Sequence, residues 1–127
     1  LVIRDYYRTT RADAVHLAWL WIRREAPEKL EAFLREICRA YWAVELDPDD
    51  RLAVATIVEG IIGRRADFLD FCEGQGADET ADLARALAAR GIATSPGYLG
   101  KGEFFSGRQH LPLIEWRLDG ENGPVPI

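Results

Sequence analysis

Only two stretches of this chain have the extended apolar character of strands, Tyr98-Leu99 and Phe104-Phe105, and both lie near its C-terminal end. The turn signal Gly100-Lys101-Gly102 joins them, so they predict a β-hairpin. A two-stranded hairpin is marginal in water, and these four residues leave little polar alternation for a solvent-facing side. The pair therefore expects neighbouring strands. Every segment from Arg11 to Arg90 reads as helix, so the missing strands must come from residues outside this sequence or from a second copy. The chain begins with Leu1 and contains no methionine; with the lone hairpin, this reads as an excerpt of a longer polypeptide.

Five helices are expected before the hairpin. Thr10 with Asp13 makes a capping box for the first, Arg11 to Glu25, whose apolar residues occupy nearly every face. Pro27 suits the first turn of the second, where Leu30, Phe33, Leu34, Ile37, Cys38 and Tyr41 form one stripe. Asp47-Pro48-Asp49-Asp50 supplies an N-cap at Asp47 and acids for the positive end of a third helix running to about Ile62. Its spacing lacks the glycine and distal glutamate of a calcium loop, so no metal is expected there. Arg64 to Glu73 is a short fourth helix broken by Gly74-Gln75-Gly76, with Arg64-Arg65 a surface helix start. Asp78 to Arg90 is the fifth, with Leu83, Ala84, Leu87 and Ala88 inward and Gly91 as its left-handed stop. After the hairpin, Arg108 to Leu118 is a closing helix burying Leu111, Ile114 and Leu118, and Gly120 to Ile127 is a surface strap or a disordered tail.

Length and composition bound the function. A chain of 127 residues with 48% hydrophobic side chains suffices for one domain with a core. Its net charge of −5, with no basic run longer than two, argues against a phosphate-tracking surface, so no nucleic-acid partner is expected. The longest apolar run, Ala14 to Ile22, is interrupted by His16 and falls far short of the ~20 residues a membrane span needs, so no membrane association is expected. No signal peptide is visible. Cys38 and Cys72 are not in a C-x-x-C pair, and both read as reduced core residues. His16, among Val15, Leu17 and Trp19, reads as a hydrogen-bonded core or pocket-lining residue. The four tryptophans, Trp19, Trp21, Trp42 and Trp116, are mainly packing mass, although Trp19 or Trp21 has the position to face a cleft.

The stretch Gly91-Ile92-Ala93-Thr94-Ser95-Pro96-Gly97-Tyr98, followed by Phe105-Ser106-Gly107-Arg108-Gln109-His110-Leu111, resembles the C-terminal end of the DsbA-like branch of the thioredoxin superfamily. The likeness is to the 2-hydroxychromene-2-carboxylate isomerase and kappa-class glutathione transferase group. There the chain returns from an inserted helical domain through G-V-F-G-V-P-T-F, a hairpin, F-W-G-Q-D-R-L and a final helix. Arg39-Ala40-Tyr41-Trp42 with the acidic cap at Asp47 looks like the end of the inserted domain's second helix. The likeness extends over almost the whole chain, but its specific part is only about thirty residues.

The resemblance implies a mainly α fold with a small β-hairpin: a helical insertion domain over 1–90 and, over 91–127, the strand-strand-helix C-terminal half of a thioredoxin-like α/β domain with an irregular tail. It also implies that Pro96 is a cis-proline, which proline permits at a cost of only ~0.5–1 kcal/mol. Ser95, after Thr94, would then offer its backbone N–H and C=O to a small thiol or peptide-like ligand in strand-addition mode, as the family holds the cysteinyl part of glutathione. The tripeptide Ser95-Pro96-Gly97 alone reads first as an ordinary trans turn; the flanking helix stop and hairpin shift the expectation to cis. Gln109 stands where the family has an aspartate that meets the γ-glutamyl ammonium, and a neutral amide loses that charge-assisted bond, which puts glutathione use in doubt. Arg108 could instead bind a carboxylate or phosphate with the nearby N–H groups, or Arg108, Gln109 and His110 are simply a solvated first turn.

The family's N-terminal strand-helix-strand, with its S-P-Y or C-x-x-C motif, has no counterpart here, so no catalytic nucleophile can be named. Two functions follow as expectations. The first is a portion of a DsbA-family enzyme, either a glutathione-dependent isomerase or transferase or a thiol-disulfide oxidoreductase, inactive as this chain alone. The second is a non-catalytic helical binding or assembly module whose hairpin pairs across a two-fold axis in a homodimer. Cytosolic isomerases and exported oxidoreductases share this half of the fold; of the two compartments the cytoplasm is expected.

Overall fold

The computed structural model describes residues 11–92 and 94–126 of the chain. In order these form α1 (Asp13–Glu25), a 3-10 turn at Pro27–Lys29, α2 (Leu30–Trp42), α3 (Arg51–Ile62), α4 (Arg65–Glu73), α5 (Gln75–Ala89), β1 (Gly97–Gly100), β2 (Glu103–Ser106), a 3-10 turn at Arg108–His110 and α6 (Leu111–Leu118). The fold is mainly helical with one antiparallel two-stranded sheet. The chain divides into two compact units, Leu1–Asp82 and Leu83–Ile127, and the division falls inside α5.

In the first unit α3 packs on α1, α2 and α4. Each helix contributes a stripe at spacings of three and four: Ala14, Leu17, Ala18, Trp21 and Ile22 from α1, Phe33, Ile37 and Ala40 from α2, Val54, Ala55 and Val58 from α3, and Phe68, Phe71 and Cys72 from α4. Phe33 and Phe68 are the largest of the fully buried side chains, and Trp21 meets Phe68 at 5.7 Å between ring centroids.

The aspartates of 47–50 are shared between two helix starts. Asp50, not Asp47, is the N-cap of α3, its Oδ1 accepting from the N–H groups of Leu52 at 2.9 Å and Ala53 at 3.2 Å. Asp49 reaches across to α1, accepting from the Arg11 N–H at 3.1 Å and the Asp13 N–H at 3.2 Å. Asp47 Oδ1 accepts from the Asp49 N–H and so shapes the loop. Acid clustering here satisfies orphan helix donors. Thr10, expected to cap α1, lies outside the described residues.

The structure corrects several burial expectations. His16 is exposed, because the buried stripe of α1 lies on the opposite side of that helix. Cys38 is exposed as well, lying one position round from Ile37 and outside the buried Phe33–Ile37–Ala40 stripe, whereas Cys72 is buried. The second unit has less to pack against. Leu83, Ala84 and Ala88 of α5 are exposed and only Leu87 is half-buried; Leu111 and Leu118 of α6 are exposed and Ile114 is half-buried. α5 begins at Gln75 rather than Asp78, because Gly74 alone breaks the chain between α4 and α5.

Two consequences are measurable. Burial pushes the Cys72 thiol up to about 11 from an ordinary value of 9.0. An aromatic disulfide reagent is expected to titrate one thiol, Cys38, quickly in the native protein and two in denaturant; two fast thiols would contradict the burial of Cys72. On unfolding Cys72 loses its proton at lower pH than when folded. The stability its neutral form contributes is therefore intact below pH 9 and lost as pH rises from about 9 to about 11.

After α2, Val44 adopts φ 59° while Glu45 N–H bonds the Ala40 carbonyl at 2.9 Å and Val44 N–H that of Tyr41 at 3.0 Å. This is the helix stop at which glycine is normal, here carrying a β-branched side chain that is only partly covered. Val44→Gly is expected to stabilise the protein by about 1 kcal/mol, since left-handed strain costs roughly 1–2 kcal/mol. Urea unfolding with a lowered midpoint would refute it.

Candidate functional site

The segment from the end of α5 to α6 is built by three local rules. Gly91, at φ 71°, closes α5: its N–H bonds the Ala88 carbonyl and the Ile92 N–H bonds that of Leu87, both at 3.0 Å. The hairpin turn is the two residues Lys101-Gly102, at φ 50° and 79°, the left-handed pair whose twist suits adjoining strands. That turn fixes the register as Gly100↔Glu103, Leu99↔Phe104, Tyr98↔Phe105 and Gly97↔Ser106.

Side chains alternate across this register. Phe105 is 7% exposed and lies 6.0 Å from the His110 ring and 5.8 Å from the Arg117 guanidinium, so its face rests on the helical side. Arg117 pairs with Glu103, and Lys101 Nζ donates to the Arg117 carbonyl at the C-terminal end of α6 at 3.1 Å. The tail after α6 is held as a strap, with Trp116 Nε1 donating to the Gly123 carbonyl at 3.2 Å. On the opposite face Leu99 is 51% exposed and Phe104 half-buried. The Phe104 ring lies over Gly97, where an added Cβ would sit 2.6 Å from its Cε2. Among the described residues of this unit, Phe105 is the one buried side chain.

The Ser95–Pro96 peptide is cis, and Thr94, Ser95 and Pro96 are all exposed. The Pro96 carbonyl accepts from the Gly107 N–H at 2.8 Å, extending the pairing one step beyond Gly97↔Ser106. The Thr94 and Ser106 hydroxyls share a hydrogen bond at 2.5 Å. Gln109 turns back, its Nε2 donating to the Ser106 carbonyl at 3.0 Å while its side-chain amide occupies the space that a Cβ on Gly107 would take; Gly107 itself adopts φ 90°. Arg108 is exposed in the short turn between them.

Of the residues singled out in the sequence, Thr94, Pro96 and Gln109 are thus tied to one short stretch, Ser106-Gly107, that sequence reasoning quoted only as part of the resemblance and gave no role. The signal was present: a two-residue turn at 101–102 forces Ser106 opposite Gly97 and Gly107 opposite Pro96. In β1, the alternation of an antiparallel ladder turns the backbone groups of Gly97 and Leu99 away from β2, the direction that another extended segment would need. The site offers backbone pairing and hydroxyls, with no nucleophilic thiol.

A second concentration of polar groups lies on the first unit, where Arg64 bonds Asp67 at 2.8 Å and Glu25 at 3.3 Å, and Arg24 bonds Glu25 at 2.9 Å and Glu79 at 2.8 Å. Hydrogen bonds from Arg24 and then Arg64 hold the Glu25 carboxyl below its ordinary range. Arg64 also stacks over Trp21 at 5.2 Å. With its guanidinium occupied by two carboxylates, Arg64 braces α1 against α4 and is not a vacant anion site.

Among the described residues there is no cluster of three or more His, Cys, Asp or Glu side chains placed to hold a metal, and no helix is long and apolar enough to cross a membrane. No family model matches the chain, and no curated protein matches it in sequence.

Proposed function

We propose that this chain is the helical insertion and C-terminal portion of a DsbA-like, thioredoxin-superfamily enzyme, in which the Ser95–Pro96 segment borders the site for a small thiol or peptide-like ligand. The observation that carries the reading is the thinness of the β-layer: among the described residues it has two strands, one buried side chain, and an apolar face with Leu99 51% exposed. A two-stranded hairpin is stabilised by further strands or by a helix packed on it; here the helical side covers Phe105 alone, and a thioredoxin-like sheet would supply strands at the open β1 edge. The order helix stop at Gly91, Ser-Pro, antiparallel hairpin and closing helix α6 supports the same reading. The chemistry is glutathione-dependent isomerisation or transfer, or thiol-disulfide exchange. Glutathione is the weaker of these ligand assignments, because Gln109 is neutral and already engaged with Ser106.

The coding sequence ahead of Leu1 tests this. It is expected to encode a strand-helix-strand with C-x-x-C for redox work or S-P-Y for isomerase or transferase work, and the absence of both motifs would overturn the proposal. This chain alone is expected to reduce no insulin disulfides; measurable turnover would contradict the assignment of the nucleophile to another segment.

One observation favours a second reading. β1 is Gly97-Tyr98-Leu99-Gly100, with no charge to discourage edge pairing, so two copies can join β1 to β1 across a two-fold axis as a four-stranded sheet. Sedimentation equilibrium distinguishes them: a stable symmetric dimer supports assembly, and a monomer that aggregates supports the enzyme portion.

A further inference from the structure

Ser106 makes two hydrogen bonds and holds a fixed place in the ladder. Its hydroxyl bonds Thr94 Oγ1 at 2.5 Å, its carbonyl accepts from Gln109 Nε2 at 3.0 Å, and it stands opposite Gly97 in the register. The next residue, Gly107, donates to the Pro96 carbonyl at 2.8 Å. Ser95 is therefore bracketed: Thr94 before it is held by a side chain of β2, and Pro96 after it by the backbone that continues β2. The two ties act on different bonds of the same short segment, so the direction of the Ser95 N–H and C=O is set from both sides. Gln109, folded over Gly107, clamps the Ser106 carbonyl and so steadies the residue that supplies the first tie.

We propose that Ser106 is the positioning residue of the ligand edge, orienting the Ser95 backbone through its hydroxyl bond to Thr94. This rests on the reading of Ser95 as a ligand-pairing residue. It assigns to Gln109 a bracing task in place of ligand contact, and it makes the hydroxyl at 106 the feature on which ligand pairing depends. Both hydroxyls are exposed, so removing one leaves no buried orphan and loosens the segment without unfolding the unit.

The test is solution NMR of the full chain, comparing the parent with Ser106→Ala, Ser106→Thr and Thr94→Val, with reduced glutathione as the probe. In Ser106→Ala and Thr94→Val the Ser95 backbone order parameter is expected to fall and the Gly107 amide to exchange about three- to tenfold faster, the factor expected for one exposed hydrogen bond. The thermal midpoint stays close to that of the parent. Glutathione-induced shifts at Ser95 should shrink by a similar factor, and Ser106→Thr, which keeps the hydroxyl, should restore both order and shifts. Unchanged order at Ser95 in Ser106→Ala overturns the proposal, as do glutathione shifts retained in full by that variant. A parent chain whose Ser95 does not respond to glutathione overturns the ligand reading instead, and the order parameters still report separately whether Ser106 orients the segment.

Discussion

Phe68→Ala is expected to destabilise the helical unit by about 3–5 kcal/mol, enough to consume much of the stability of a domain this size. Phe68 is fully buried, stacks at a tilt on Trp21, and belongs to α4, a helix of nine residues whose other buried side chains are Phe71 and Cys72. So short a helix has little stability of its own and is held by what it buries. Removing the ring leaves a cavity that the surrounding helices cannot close, because their buried residues, Ile22, Val54 and Val58 among them, are fixed by their own stripes. Phe68→Leu should recover most of the loss. The measurement is urea unfolding followed by far-ultraviolet circular dichroism; a loss under 1 kcal/mol for the alanine variant would show that this position is not central to the core.

Gly76→Val is expected to cost about 3 kcal/mol, at the upper end of what overpacking does. Gly76 is the second residue of α5 and is buried. A Cβ there would lie 2.7 Å from both the Phe71 carbonyl oxygen and Phe71 Cε1, and 2.9 Å from Leu17 Cδ2. A side chain can rotate away, but the carbonyl belongs to the last turns of α4 and cannot move without distorting that helix. The position is demanded by close approach of two backbones. Gly76→Ala should be milder in effect but of the same sign. A comparison with Gly60, where an added Cβ meets nothing within 4 Å, separates this steric cost from any general effect of glycine replacement, since Gly60 occupies an exposed position of α3 and Gly60→Ala should be neutral or stabilising. Equal effects at the two glycines would refute the packing argument.

The helical half was legible in the sequence wherever a stripe was narrow. Phe33 and Ile37 mark the inward side of α2, and Gly91 marks the end of α5 by the conformation it permits. Reading broke down where residues of one chemistry serve partners far along the chain. Asp49 is adjacent in sequence to α3 yet caps α1, 36 residues away from Asp13, and no local rule connects them. Apolar residues at helical spacing were likewise assumed to face inward, and Cys38, Leu83 and Leu118, 67% exposed, do not; periodicity gives the direction of a stripe but not whether anything is there to receive it. At the candidate site the Ser-Pro segment stood out by composition, whereas Ser106 and Gly107 have ordinary identities and matter only through the register that the Lys101-Gly102 turn imposes.

The paired aspartates have a bearing on how this chain tolerates change in length. Surface connections between helices ordinarily absorb insertions and deletions freely, but 47–50 is spliced into two helix beginnings at once. One added residue between Asp49 and Asp50 would move one carboxylate out of reach of its amides whichever way the loop relaxed. Tag grafts, cleavage sites or circular permutants placed there should fail together, while the same manipulation beyond α6 should be accommodated.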